Sequence, residues 1–222
     1  MIVCLFISTL VFSQKEELGE TEWQKNQVKF SPQRMFNLFN PGLELSYQRN
    51  HGKFASQISV AYLVDIAGIL NRKNVHGYRL NFEEKYFFPK SISDKMKTFI
   101  SSEIGYINIF SIREGQRFIP VNAEGKLDED NFYIGNCEIN RQSIIFDIKI
   151  GMEFRINRII LEWCVGLGLT HQNVRYINKR NPTDQMEFHH SDLLSRLFEE
   201  EGKYVIPNIP ITFKIGYAFI NK

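Results

Sequence analysis

The sequence predicts an all-β fold: an eight-stranded antiparallel up-and-down transmembrane β-barrel with short periplasmic turns and longer outer loops. Three observations predict it. Long segments alternate apolar and polar residues with a period of two. Short and long connections alternate between those segments, as in barrels that cross an outer membrane. Glycines recur on the polar face (Gly105, Gly151, Gly166, Gly168, Gly216), where a narrow lumen needs small residues and a solvated face gains nothing from them.

The clearest strand is 144–156. Ile144, Phe146, Ile148, Ile150, Met152, Phe154 and Ile156 share one face, and Asp147, Lys149, Gly151, Glu153 and Arg155 the other. It is long enough to cross a bilayer at a barrel's tilt. Segment 159–170 opposes Leu161, Trp163, Val165, Leu167 and Leu169 to Glu162, Cys164, Gly166 and Gly168, and 209–220 opposes Ile211, Phe213, Ile215, Tyr217 and Phe219 to Thr212, Lys214 and Gly216. Weaker alternation marks 42–49, 55–63, 78–88 and 98–108, and the first strand is the least clear, over 26–36. Short links fall at 50–53 and 157–158, whereas the 5–6 and 7–8 links run to roughly 30 to 40 residues, far beyond ordinary connections.

A soluble lipocalin-like barrel is apolar inside and a membrane barrel is the reverse. Besides the lumenal glycines, aromatics near strand ends (Tyr47, Tyr62, Tyr86, Phe88, Phe154, Tyr217, Phe219) suit membrane interfaces. Residues 2–12 form an apolar run of signal-peptide length, though no Lys or Arg precedes it. The expected division is a signal peptide over 1–13, a short polar segment over 14–25 and the barrel over 26–222.

The 222 residues hold 27 Lys+Arg against 25 Asp+Glu, a balance that excludes a strongly basic nucleic-acid binder and an acidic tail. Aromatics reach 14%, which favours strands. The mean hydropathy of −0.25 fits a barrel, since only alternate residues meet lipid. The polar face carries both signs: Glu44, Glu83, Glu103, Asp147, Glu153 and Glu162 against Arg79, Lys85, Lys149, Arg155 and Lys214. Eight strands leave a lumen just wide enough for side chains. Enclosed charges must pair, so these residues are expected to form a network that plugs the barrel. Glu84 disagrees, since the frame of its strand places it on the lipid face.

The segments NPGLELSYQR (40–49), GYRLNFEEKYFF (77–88) and IPNIPITFKIGYAF (206–219), with an apolar leader ending FSQ, resemble small outer-membrane barrels of the OmpA-like type. The resemblance implies fold and an outer-membrane location after export, with membrane lipid and the barrel-assembly machinery as partners. It implies no activity, and the peptidoglycan-binding role of longer relatives is not expected.

His189 and Ser191 lie in the 7–8 link. A His-x-Ser pattern near the last strand resembles that of lipid A deacylases, with His189 as base, Ser191 as nucleophile and one of Glu199, Glu200 or Glu201 as orienter. Asp192 stands where that family has Asn. The local alternative is a helix capped by Ser191 or Asp192, with Leu193, Leu194, Leu197 and Phe198 as its stripe and Gly202 as its stop, and it explains the segment better. The acidic run Asp128, Glu129, Asp130 and Asn131 lacks EF-hand spacing, and His51 and His76 have no metal-ligand spacing. No cofactor or metal is expected. Cys137 is assigned to a loop and Cys164 to mid-strand, both unpaired.

Overall fold

The computed structural model describes residues 26–36, 41–64, 73–89, 95–122, 124–181, 183–187 and 200–219. Its strands are β1 (Asn26–Phe30), β2 (Gly42–His51), β3 (Phe54–Val64), β4 (Lys73–Phe87), β5 (Met96–Ile119), β6 (Tyr133–Ile156), β7 (Ile159–Tyr176), β8 (Gln185–Met186), β9 (Gly202–Asn208) and β10 (Ile211–Phe219). Short 3-10 turns occupy Pro32–Phe36 and Glu129–Asn131. The proposed leader 1–13, the polar segment 14–25, and His189, Ser191 and the capped stretch after them lie outside the described residues.

Each strand pairs antiparallel with the next from β1 to β7, β7 pairs with β10, and β10 returns to β1. The result is a closed ring of eight antiparallel strands. β9 is the upper half of the eighth wall strand. Gly168 faces Asn208 and Val165 faces Ile211 on one uninterrupted register along β7. Between them Gly166 N donates to Pro210 O (2.9 Å). Pro210, with no N–H to give, interrupts the ladder there.

The register also fixes the stagger. Ala218 pairs with Gln27, and the line continues through Gln48, Gln57, Glu83, Glu103, Asp147 and Gly168 to Asn208, ten residues along the strand where it began. Such a shear tilts the strands by about 40°. All the short turns then fall at one end of the ring. Two of them are two-residue hairpins, whose first central residues, Gly52 and Asn157, have φ of 63° and 57°, the sense that matches the twist of the flanking strands.

Several boundaries differ from expectation. β1 ends at Phe30, because Pro32 cannot continue a ladder and opens the Pro32–Phe36 turn. The Gln33 side chain takes the place of a neighbouring strand, donating to Ile211 O (2.8 Å) and accepting from Phe213 N. The 5–6 link is mostly strand. β5 and β6 pair as far as Phe118 and Tyr133, with an irregularity between Arg113 and Gln116 beside Gly115 (φ 66°). Cys137 therefore lies in β6, buried, and not in a loop; it and Cys164 are not joined in a disulfide. The 7–8 link is shorter than expected as well, since β7 runs to Tyr176 and β9 begins at Gly202.

The ring is apolar outside and ionised inside. Leu45, Ile58, Val60, Ile104, Ile148, Ile150, Leu167 and Ile211 are each close to half exposed or more. Glu83, Lys85, Glu153 and Glu162 on alternate positions are at most 1% exposed. Along β6 the outward apolar run from Ile144 to Ile156 spans about 30 Å after the tilt is allowed for. Beyond it the outer face of β6 and β7 turns polar, and their inner face mixes apolar side chains with Arg141 and Gln172. Glu138, Asn140 and Gln142 face outward on β6 and His171, Asn173 and Arg175 on β7, while Cys137, Ile139, Val174 and Tyr176 turn inward and are buried. The change of outer face occurs at one height, where Ile144 faces His171.

Candidate functional site

The interior of the ring is the most developed polar constellation of the molecule. Period-two alternation delivers one inward side chain per two residues from every wall strand, and the sequence fills those positions with long ionisable side chains. Lys29 of β1 sits at its centre. Its Nζ donates to Gln48 Oε1 (2.7 Å), Glu153 Oε1 (2.5 Å) and Glu162 Oε2. Lys85 donates to the same Glu162 oxygen (2.6 Å) and to Gln48 and Gln57 (2.9 and 3.2 Å). Its Nζ lies over the Phe99 ring at 4.7 Å, a cation–π contact in a desolvated place.

The next level is built on Glu83. Lys149 lies 2.7 Å from one of its oxygens and 2.9 Å from Glu103. Lys214 spans Glu83 and Glu162 at 3.3 and 3.4 Å. Ser101 and Gln57 donate to Glu83 at 2.7 and 3.1 Å. Farther from the short turns, Arg79 donates to Glu103 (3.2 Å) and Asn81 (2.9 Å). Arg34, from the 3-10 turn after β1, pairs with Glu44 at 3.2 Å, and Ser31 donates to Glu44 at 2.9 Å.

From the turn end up to Arg79 the ring thus gathers Lys29, Arg79, Lys85, Lys149 and Lys214, with the largely buried Arg34, against Glu44, Glu83, Glu103, Asp147, Glu153 and Glu162; Arg113, Arg141 and Asp184 are buried farther from the turns. Opposite signs lie together at each level, as burial demands, because an unmatched charge in a low-dielectric interior costs several kcal/mol. Apolar clusters close it off. Phe87, Phe99, Ala55 and Cys164 pack at the turn end, and Ala61, Leu63, Val75, Ile107, Ile109 and Ile145 pack beyond Arg79.

Of the predicted interior residues, the structure buries Glu44, Arg79, Glu83, Lys85, Glu103, Asp147, Lys149, Glu153, Glu162 and Lys214 inside the ring. Arg155 is corrected: it is only half-buried, and its Nε donates to Asn157 O (2.8 Å) across the β6–β7 turn. Its position next to the hairpin takes it below the enclosed level. Sequence reasoning missed Lys29 and Arg34; alternation puts Gln48 and Gln57 on the polar face, but the expected charge network does not include their amides. Lys29 was legible in principle, since Gln27 and Lys29 alternate with Val28 and Phe30. Arg34 was not, because it reaches inward from a turn.

A second constellation lies past the change of outer face. β8 pairs with the end of β5, Met186 against Phe118. Met186 joins Phe118, Cys137, Ile139, Val174 and Tyr176 in one buried cluster. Tyr133 donates to Asp184 Oδ2 (2.8 Å), which also accepts from Asn181 N (3.1 Å). Burial pushes the Tyr133 phenol above its ordinary pKa, and the Asp184 carboxylate adds to that, opposed by the Arg180 amide that donates to the phenol. Lys179 joins Glu201 at 2.6 Å and Asp184 O at 3.0 Å. Glu201, proposed as an orienter for His189, is thus engaged in holding the link to β9.

Among the described residues no group of His, Cys, Asp and Glu could hold a metal ion. Asp128 accepts from Asn131 (2.8 Å). His76 contacts Asn74 O (2.8 Å) and stacks on Phe110. Among the described residues no helix is long and apolar enough to cross a membrane. No family model, curated protein or solved structure matches the chain.

Proposed function

We propose that the chain is an outer-membrane β-barrel of the small OmpA-like type, with a plugged lumen and a role that is structural or exerted through its outer loops. The observation that carries this reading is the combination of ionised interior and apolar exterior over a band of about 30 Å, close to the thickness of a bilayer's hydrocarbon core. A soluble protein would leave that apolar wall in water, a patch far larger than soluble monomers tolerate. A lipocalin-like carrier would need an apolar cavity where this ring holds ion pairs.

Aromatics flank the band. Tyr86, Phe88, Tyr217 and Phe219 lie near the turn end, and Tyr62, Tyr78 and Tyr106 near the other, where Tyr78 and Tyr106 pair at 6.0 Å. Such girdles mark both interfaces of membrane barrels. In this orientation the short turns face the periplasm and the β5–β6 ribbon stands outside the cell. Its tip exposes Leu127, Phe132 and Ile134, with Arg117 over the Phe132 ring at 4.0 Å. Loops on a rigid scaffold are where binding residues concentrate, so this tip is the surface offered to a partner.

The test is fractionation of a double-membrane bacterium expressing the full chain, followed by electrophoresis with and without boiling. The reading requires the protein in the outer-membrane pellet and a heat-dependent shift in mobility. Recovery in the soluble periplasm would sink it.

A further inference from the structure

Glu84 faces outward from β4, half-buried, inside the apolar band. Tyr86 and Phe88 lie between it and the turn end, and Phe82, Leu80 and Tyr78 lie beyond it. It is not isolated. Its register partners are Ser56 on β3 and Ser102 on β5, and Ser56 in turn faces Arg49 on β2. Arg49, Ser56, Glu84 and Ser102 therefore form one continuous polar row climbing obliquely across four strands of a wall that is elsewhere apolar. Within the chain Glu84 is hydrogen-bonded to Ser56. A carboxylate and hydroxyls at this depth find no partner in lipid, and polar groups inside a membrane mark contacts with other protein.

The row is also self-complementary. Arg49 and Glu84 stand on either side of Ser56, one strand away in each direction. A two-fold axis along the membrane normal, passing through β3, would lay β2 of one copy against β4 of another. The two Ser56 residues would face each other, and each Arg49 would lie about 6 Å nearer the turn end than the other copy's Glu84, a step of the climbing row that the long guanidinium side chain spans. Above them Ile58, Val60 and Tyr62, each more than half exposed, supply an apolar ridge at the same seam. An interface in which one patch serves both subunits is the usual geometry of a two-fold dimer.

We propose that the outer face of β2–β4 binds a second copy of this chain within the membrane, through reciprocal Arg49–Glu84 pairs about Ser56. This rests on the membrane reading above. The test uses the full chain in native membranes. A cysteine is placed at the seam (Ser56→Cys) or on the far wall (Leu167→Cys), and disulfides are formed with a membrane-permeant oxidant. Cys137 and Cys164 are buried and serve as the common background.

Ser56→Cys should give a covalent dimer at least about tenfold more abundant than Leu167→Cys. Adding Glu84→Gln should cut that yield several-fold, and the exchange Arg49→Glu with Glu84→Arg should restore it. Equal, low yields from both cysteines in embedded, heat-modifiable protein overturn the dimer and leave the membrane reading intact. An adduct whose mass is not twice that of the chain overturns it in favour of a different partner protein. Absence of the protein from the membrane pellet overturns the membrane reading itself, and the dimer with it.

Discussion

Lys29 on β1 and Glu153 on β6 meet at 2.5 Å, although their strands stand three places apart around the ring. The contact crosses the lumen instead of running along the wall. It braces nearly opposite sides through one ammonium, which Glu162 and Gln48 also share.

Removing that ammonium leaves two buried carboxylates without their common partner. Lys29→Met should lower stability by about 3–5 kcal/mol. The check is the urea midpoint of the heat-modifiable species in detergent. Lys29→Met combined with Glu153→Gln should recover part of the loss, because the uncompensated charge is then smaller.

Ion pairs and apolar clusters fill the bore from Phe99 to Ile109. Purified protein in planar bilayers should therefore show no stepwise conductance in simple salt. Replacing Lys29, Lys85 and Lys149 together with Ala should introduce measurable current, if the chain still folds by the heat-shift criterion.

Much of this was legible in the sequence, for a physical reason. From Ile144 to Ile156 and from Leu161 to Leu169 each residue's environment alternates between lipid-like and ionic extremes, so hydropathy alone reports its side. The signal fades where that contrast fades. Past Gln142 the outer face of β6 and β7 turns polar while their inner face mixes Ile139 and Val174 with Arg141 and Gln172, so the contrast between the faces is lost, and the sequence reading ends β6 there although its ladder with β5 continues to Phe118 and Tyr133. Lys29 was missed because β1 has only five residues, too few to set a period. Arg155 was misassigned because alternation reports the side of the wall and not the depth. Glu84 was placed outward by its frame, and the structure places it there too.

The Gln33 amide bonds Ile211 and Phe213 where β1 no longer covers the edge of β10. Gln33→Ala leaves both main-chain groups unpaired and should cost roughly 1–3 kcal/mol. Hydrogen exchange should rise at Phe213 while the Tyr217 amide, nearer the β1 ladder, stays protected.

Gly168 leaves no room for a side chain. A Cβ there would come within 1.9 Å of Asp147 Oδ1 and 2.6 Å of Phe146 O. Gly168→Ala should destabilise the ring by about 1–3 kcal/mol through overpacking, whereas Gly135→Ala, whose nearest neighbours are ring atoms of Tyr133 at 3.7 and 3.8 Å, should stay within about 0.5 kcal/mol of the parent. Denaturant midpoints of the two variants measured side by side decide the point.

Asp184 gathers Tyr133, Asn181 and Lys179 around the 7–8 link. Asp184→Ala should expose residues 177–187 to limited proteolysis on whole cells, with the heat-dependent shift unchanged. Equal cleavage of both forms would mean that the link is held by other contacts.

In the proposed membrane setting, the change of outer face at Ile144 and His171 would also set how deep the molecule rides. Pushed inward, it would drag Gln142, Asn173 and Arg175 into hydrocarbon; pulled outward, it would strand Ile144 and Leu169 in water. Either displacement would be opposed on neighbouring strands at once, which would give the protein one resting height. The ribbon beyond that line, about a dozen residues on each of β5 and β6, extends roughly 30 Å. That exceeds the thickness of a headgroup layer, and on the membrane reading it would hold Phe132 and Ile134 at a constant standoff above the bilayer.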